Sequence, residues 1–228
     1  MKQLIELLKK KGADFTVDGD KISVGGYLDL RGTGITQLPD NLSVGGYLDL
    51  EGTGITQLPD NLSVGGGLYL RGTGITQLPD NLSVGGGLYL RGTGITQLPD
   101  NLSVGGYLDL RGTGITQLPD NLSVGGGLYL RGTGITQLPD SFSCDSLYLE
   151  PEKVSNVAYR YNCGYSSRTI FAVWTGSEFR IAAGCFFGSI ADFESAVDEK
   201  YSGSAAEKYK QAGRECVEEL TVKLNKAA

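Results

Sequence analysis

The sequence predicts an α/β solenoid: a coiled array whose strands stack in a parallel β-sheet, with a helical cap at the N-terminus and a small α+β cap at the C-terminus. Three observations predict it. The stretch LDLRGTGITQLPDNLSVGGY, from Leu28 to Tyr47, is rewritten almost letter for letter as far as Asp140, and a fixed period of about twenty residues is the signature of stacked structural units. Leucine, isoleucine and valine return in the same columns of every copy. Glycine, at 35 of 228 residues, follows the same period rather than every third position, which excludes collagen.

The chain divides into three regions. Residues 1–20 read as a cap. Leu4, Ile5, Leu7 and Leu8 give an apolar stripe at helical spacing, Lys9–Lys11 suit the negative end of the helix dipole, and Gly12 is placed to stop the helix. Phe15 and Val17 then alternate like a strand, and Asp18-Gly19-Asp20 reads as a turn. The first coil of a solenoid exposes an apolar end, which this segment would cover.

Residues 21–149 hold the repeats: six units (21–40, 41–60, 61–80, 81–100, 101–120, 121–140) and a partial seventh, in which SLYLE (Ser146 to Glu150) echoes GLYLR (Gly127 to Arg131) one residue short. Within a unit, Leu28 and Leu30 are two apart and share one face of a strand, so Tyr27, Asp29 and Arg31 share the other. Ile35, Leu38, Leu42 and Val44 complete an inward-facing set. Gly32 and Gly34 flank Thr33 where the backbone must turn, and Pro39 marks the return stretch. No single unit can bury its leucines alone; each buries them against the next copy.

Residues 150–228 change character. Glycine thins out, and aromatics and cysteines appear. Thr169–Trp174 and Phe179–Gly184 read as a hairpin across Thr175-Gly176-Ser177-Glu178. Two helices follow: Ser189 is placed to cap the first, and Ser204 with Glu207 forms a capping box for the second.

The repeated L-x-L-x-x-x-x-I-x-x-L-P-x-x-L of residues 21–149 resembles the leucine-rich repeat in its short bacterial twenty-residue form. The resemblance covers a little over half the chain. It implies a curved solenoid with one short strand per repeat on the concave side. The chain departs from the family pattern at two columns: threonine (Thr33, Thr53, Thr73, Thr93, Thr113, Thr133) stands where the family has asparagine, and glycine stands at the family's first strand leucine. One hydroxyl donor replaces two amide donors, so the usual side-chain ladder must be weaker or differently made. Natural repeats drift apart, and these differ at only three outward columns apart from Lys21 and Ile22. That predicts a consensus-engineered array with natural-like caps, recent duplication being the alternative.

Composition narrows the function. The net charge is −6 and no segment is basic, so no nucleic-acid partner is expected. Histidine is absent, which removes Ser-His-Asp and Cys-His catalysis and histidine metal ligation. The four cysteines, Cys144, Cys163, Cys185 and Cys216, form no CxxC pair and are expected to be reduced and buried. No metal or cofactor is expected. No stretch is long enough to span a membrane, and the opening MKQLIELLKKKGADF lacks the order of a signal peptide, so the expected location is cytoplasmic and the expected state monomeric.

The outward sheet columns carry the variation between repeats and therefore the candidate binding residues. Each unit holds one tyrosine, written YLDL or GLYL, giving the row Tyr27, Tyr47, Tyr69, Tyr89, Tyr107 and Tyr129. Asp29, Asp49 and Asp109 sit beside it. Arg31, Arg71, Arg91, Arg111 and Arg131 edge it, with Glu51 breaking the arginine line. Tyrosine and arginine combine contact area with directed bonds; stacked tyrosines also cover a bare sheet face. A surface repeated every ~5 Å complements a periodic partner, so the expected function is a non-enzymatic scaffold or interaction module for a protein, an extended peptide or a glycan. The alternatives are an effector-like enzyme acting through Cys185 or Cys144, the latter echoing bacterial leucine-rich-repeat ubiquitin ligases through Cys144-Asp145, and ice binding by the Thr33 and Thr36 columns. Gly188-Ser189 reads as an N-cap before an anion site. The column Asp40, Asp60, Asp80, Asp100, Asp120 and Asp140 reads as turn caps before a cation site.

Overall fold

A computed structural model describes residues 1–163 and 168–225. The repeats form a solenoid with a twenty-residue period: Leu28 pairs with Leu48, Leu48 with Leu68, and Leu68 with Leu88, all in parallel register. Two parallel ladders run along it where the sequence predicts one. The seven-stranded sheet holds the expected strands, Leu28–Asp29 through to Ser146–Tyr148. The second, eight-stranded sheet is built from the Leu-Ser-Val segments, such as Leu42–Val44 and Leu122–Val124. Leu42 and Val44 are buried while Ser43 between them is not, the alternation of a half-buried strand.

A Gly-Gly corner joins the two sheets. A Cβ on Gly45 would stand 2.5 Å from the carbonyl oxygen of Gly25, and one on Gly46 would stand 3.0 Å from Gly26. The coils meet there backbone to backbone, and the Gly45 and Gly46 amides donate to Val24 and Gly26 carbonyls at 2.8 Å. The next bend follows the seven-stranded sheet, where Gly32 holds φ +64° and Thr33 Oγ1 donates to the Leu30 carbonyl at 2.6 Å. The same bond recurs from Thr53, Thr73, Thr93, Thr113 and Thr133. The expected side-chain ladder is thus differently made: each threonine ties the bend of its own coil.

The inward columns are buried as expected, with Leu38 and Leu98 only half-buried. At one end, α1 (Lys2–Lys11) lays Leu4 and Leu8 into the same core as the coils, and Gly12 ends it in the left-handed conformation. Phe15–Asp18 pairs antiparallel with Lys21–Val24 across the Gly19-Asp20 turn and lies at the edge of the eight-stranded sheet. At the other end, SLYLE falls into register, Leu128 pairing with Leu147 and Tyr129 with Tyr148.

Beyond the coils lies a four-stranded antiparallel sheet: Ala158–Cys163, Arg168–Trp174, Phe179–Ala183 and Phe186–Ser189. The middle two are the expected hairpin; the outer two are additional. Both faces are buried, which is why Arg168–Trp174 is almost continuously apolar. Phe171, Val173 and Ala182 join the solenoid core, while Ile170, Ala172 and Ile181 meet α2 (Ile190–Lys200) and α3 (Gly203–Leu224) through Phe193, Val197, Tyr209, Cys216 and Leu220.

Ser189 caps α2 as expected, its hydroxyl accepting from the Asp192 amide at 3.1 Å. The Ser204–Glu207 capping box does not form. α3 begins two residues earlier, at Gly203 with φ +59°, which places Ser202 at the cap and Ser204 inside the first turn. Among the described residues no helix is long and apolar enough to cross a membrane.

Candidate functional site

The candidate residues lie on the outer side of the seven-stranded sheet, in three columns one coil apart. The tyrosines occupy two of these columns. Tyr27, Tyr47 and Tyr107 precede the strand leucine, and Tyr69, Tyr89 and Tyr129 follow it. Sequence reasoning left Tyr148 out of the row, although the SLYLE echo marks it.

Glycine explains the two spellings. In the GLYL coils the ring folds back over the glycine two residues earlier. A Cβ on Gly67 would stand 3.1 Å from the Tyr69 ring, and one on Gly127 would stand 3.0 Å from the Tyr129 ring. One tyrosine ring therefore covers the same patch in every coil, reached from either column. Rings in the same column stack: Tyr27 on Tyr47 at 5.0 Å, Tyr69 on Tyr89 at 4.5 Å and Tyr129 on Tyr148 at 4.6 Å between centroids. Where the column changes, the contact becomes edge-on or tilted, as for Tyr47 with Tyr69 and Tyr107 with Tyr129. Tyr27, Tyr47 and Tyr107 are 63%, 41% and 50% exposed; the folded-back rings are half-buried. Burial raises the phenol pKa of Tyr89 and of Tyr129, and neighbouring tyrosines push the same way.

The aspartates are less open than expected. Asp49 and Asp109 are only 8% and 5% exposed, because each stands next to a tyrosine of the following coil, Tyr69 and Tyr129, and takes an arginine. Arg31 grips Asp29 through two nitrogens at 2.7 and 3.0 Å and reaches Asp49 at 3.1 Å. That grip holds the Asp29 carboxyl at about 2, below its ordinary 3.8. Arg111 grips Asp109 in the same bidentate way and lies 5.3 Å from the Tyr129 ring centre. Glu51 sits beside this network, its amide donating to Asp49 at 3.0 Å. Arg71, Arg91 and Arg131 are exposed. In their coils tyrosine occupies the position that holds the partner aspartate elsewhere.

The face ends at a hollow of about 610 Å³ between the last coil and the C-terminal sheet, bordered by Arg131, Tyr148, Glu150, Tyr161 and Phe171. Its acids are engaged. Glu150 binds Lys153 at 2.8 Å and the Gly132 amide at 3.0 Å, which lowers its pKa, and Glu152 accepts the Tyr161 hydroxyl at 2.7 Å.

The other candidates separate clearly. Cys144, Cys163 and Cys216 are buried free thiols, and desolvation pushes Cys144 and Cys216 up to about 12. Cys185 is free but exposed, against the expectation of a buried one; it lies at the Gly184–Cys185 turn between two strands, outside both cores. The column from Asp40 to Asp140 is exposed, and its members make no hydrogen bond or ion pair among the described residues, so the expected turn caps do not form. No group of metal-ligating side chains occurs among the described residues either. Thr36 and its equivalents are exposed, whereas Thr53, Thr73, Thr93 and Thr113 are buried, each hydroxyl donating to the leucine carbonyl three residues back.

The fold defines a repeat protein: a two-sheet parallel solenoid carrying a tyrosine row on one face. No family model, no curated protein and no solved structure matches the chain.

Proposed function

We propose that the chain is a non-enzymatic interaction module of the leucine-rich-repeat type, built from consensus units, which engages an extended and periodic partner through its Tyr/Asp/Arg face. The Leu-x-Leu and Leu-Pro columns support the family assignment, and the Gly-Gly corner with its second sheet is this chain's variation on it. One observation carries the binding reading: seven coils bring tyrosine rings into one row at the coil spacing, with arginines along its edge. Such a surface offers area and directed bonds at regular intervals. Free thiols suit a reducing compartment, which favours the cytoplasm.

The test is a ligand screen that includes glycans and extended peptides, run on the wild-type chain and on Tyr69→Ala combined with Tyr89→Ala. Loss of binding with an unchanged far-UV circular dichroism spectrum supports the face. A ligand held equally by both proteins removes it.

A further inference from the structure

We propose that the face binds a linear acidic glycan, a polymer with one carboxylate per sugar, and that Arg71 and Arg91 select its charge. This rests on the reading of the face as the interaction surface and names its partner.

The arginine column is unevenly neutralised. Arg31 is held by Asp29 and Asp49, and Arg111 by Asp109. Arg71 and Arg91 are exposed and, among the described residues, their side chains make no ion pair or hydrogen bond. They stand on adjacent coils about 5 Å apart, an arrangement of like charges that destabilises a sheet face and that a bound anion relieves. From coil three to coil six the strand columns carry four arginines against one aspartate, on a chain whose net charge is −6.

The tyrosines beside them narrow the partner. Tyr69 and Tyr89 lie 4.5 Å apart with planes only 7° from parallel, so each spends a ring face on the other. What remains toward a ligand is ring edge and hydroxyl. The face thus offers two parallel rows at one spacing, phenol hydroxyls and guanidiniums. A uronate polymer repeats hydroxyls and a carboxylate along its length and meets both rows; an arginine takes a carboxylate through two parallel hydrogen bonds. An acidic polypeptide carries the carboxylates without the hydroxyls. A nucleic acid needs more phosphate-binding cations than the column leaves open.

The test uses alginate in calcium-free buffer, its propylene glycol ester, in which the charge is masked, and polyglutamate, each titrated calorimetrically into the full chain. The expected result is binding to alginate that weakens with added salt, with the ester and polyglutamate at least about tenfold weaker. Arg71→Gln with Arg91→Gln should weaken alginate binding by about tenfold or more, as two exposed charge-assisted contacts are lost. Lys9→Gln with Lys208→Gln, an equal change of charge off the face, should leave it intact. Equal affinity for polyglutamate, or no effect of the arginine changes, overturns the proposal, as does an absence of alginate binding. Binding to the ester that disappears in the Tyr69→Ala, Tyr89→Ala variant overturns the charge selection while sparing the face itself.

Discussion

The ring of Tyr89 lies so closely over Gly87 that a Cβ added there would stand 2.7 Å from its phenol oxygen. Gly87→Ala should therefore lift the ring off the coil and break its stack with Tyr69. Near-UV circular dichroism should lose tyrosine signal while the far-UV spectrum holds, at a stability cost on the order of 1 kcal/mol for a displaced rotamer. Rewriting the coil as its neighbour, Gly87→Tyr with Tyr89→Asp, should be tolerated. Failure of that swap to fold would refute the idea that the two spellings are interchangeable.

The Gly-Gly corner makes a sharper demand. A Cβ on Gly85 would stand 2.5 Å from the Gly65 carbonyl oxygen, and that oxygen belongs to the backbone of the preceding coil. Gly85→Ala has to push the coils away from each other, and urea unfolding should show a loss of about 1–3 kcal/mol. Ser83→Ala, on the exposed side of the same segment, should stay within about 0.5 kcal/mol of wild type.

Thr93 tests the buried hydroxyl column. It donates to the Leu90 carbonyl at 2.8 Å and is 5% exposed. Thr93→Val keeps the shape and removes the donor. The same carbonyl also accepts the Thr93 amide at 3.0 Å, so the loss should be near the low end for a buried hydrogen bond, about 1 kcal/mol. Thr93→Ser should recover most of it; equal destabilisation by both would point to packing instead.

Asp29 should titrate at about 2 rather than 3.8, because Arg31 hydrogen-bonds its ionised form. The folded value is depressed, so the folded chain binds this proton less tightly than the unfolded one. The stabilisation is full above the ordinary carboxylate range and is lost as pH falls through about 2. Carboxyl carbon NMR should report the shift directly, and Arg31→Gln should move Asp29 back toward its ordinary value. An unshifted Asp29 in the wild-type chain would contradict the ion pair.

Thiol chemistry addresses the enzymatic alternative. Cys185 is exposed, and the other three cysteines are buried. Ellman's reagent on the native chain should titrate one thiol at the rate of an ordinary exposed cysteine, and all four after unfolding. A native thiol reacting orders of magnitude faster would favour a nucleophile at Cys185.

Much of this architecture was legible because the repeats print their own geometry. Leu28 and Leu30 two apart, with Ile35 and Leu42 at constant offsets, can only stack one way, and the coil-on-coil pairing follows. The second sheet was hidden because Leu42-Ser43-Val44 is short and lies beside a Gly-Gly pair that reads as a turn. What those glycines do depends on the carbonyls of the coil beneath, and a linear pattern does not display that contact. The candidate columns were visible as the variable positions. The pairing within them was not: Asp49 is buried because of Arg31 and Tyr69, residues eighteen and twenty positions away. The exposure of Cys185 is hidden because cysteine is so often a core residue, and the edge strands of the C-terminal sheet are hidden because they lack clean alternation.

The in-register ladder of near-identical coils also bears on how the chain finds its fold. Any coil can sit upon any other in the same register, so a coil looped out of the stack leaves a well-formed junction behind it and costs mainly its own buried leucines. Only the two termini carry unique surfaces, Leu4 and Leu8 at one and Phe171 and Val173 at the other. Counting the coils correctly is their task, and a chain stripped of either should populate slipped stacks of unequal length.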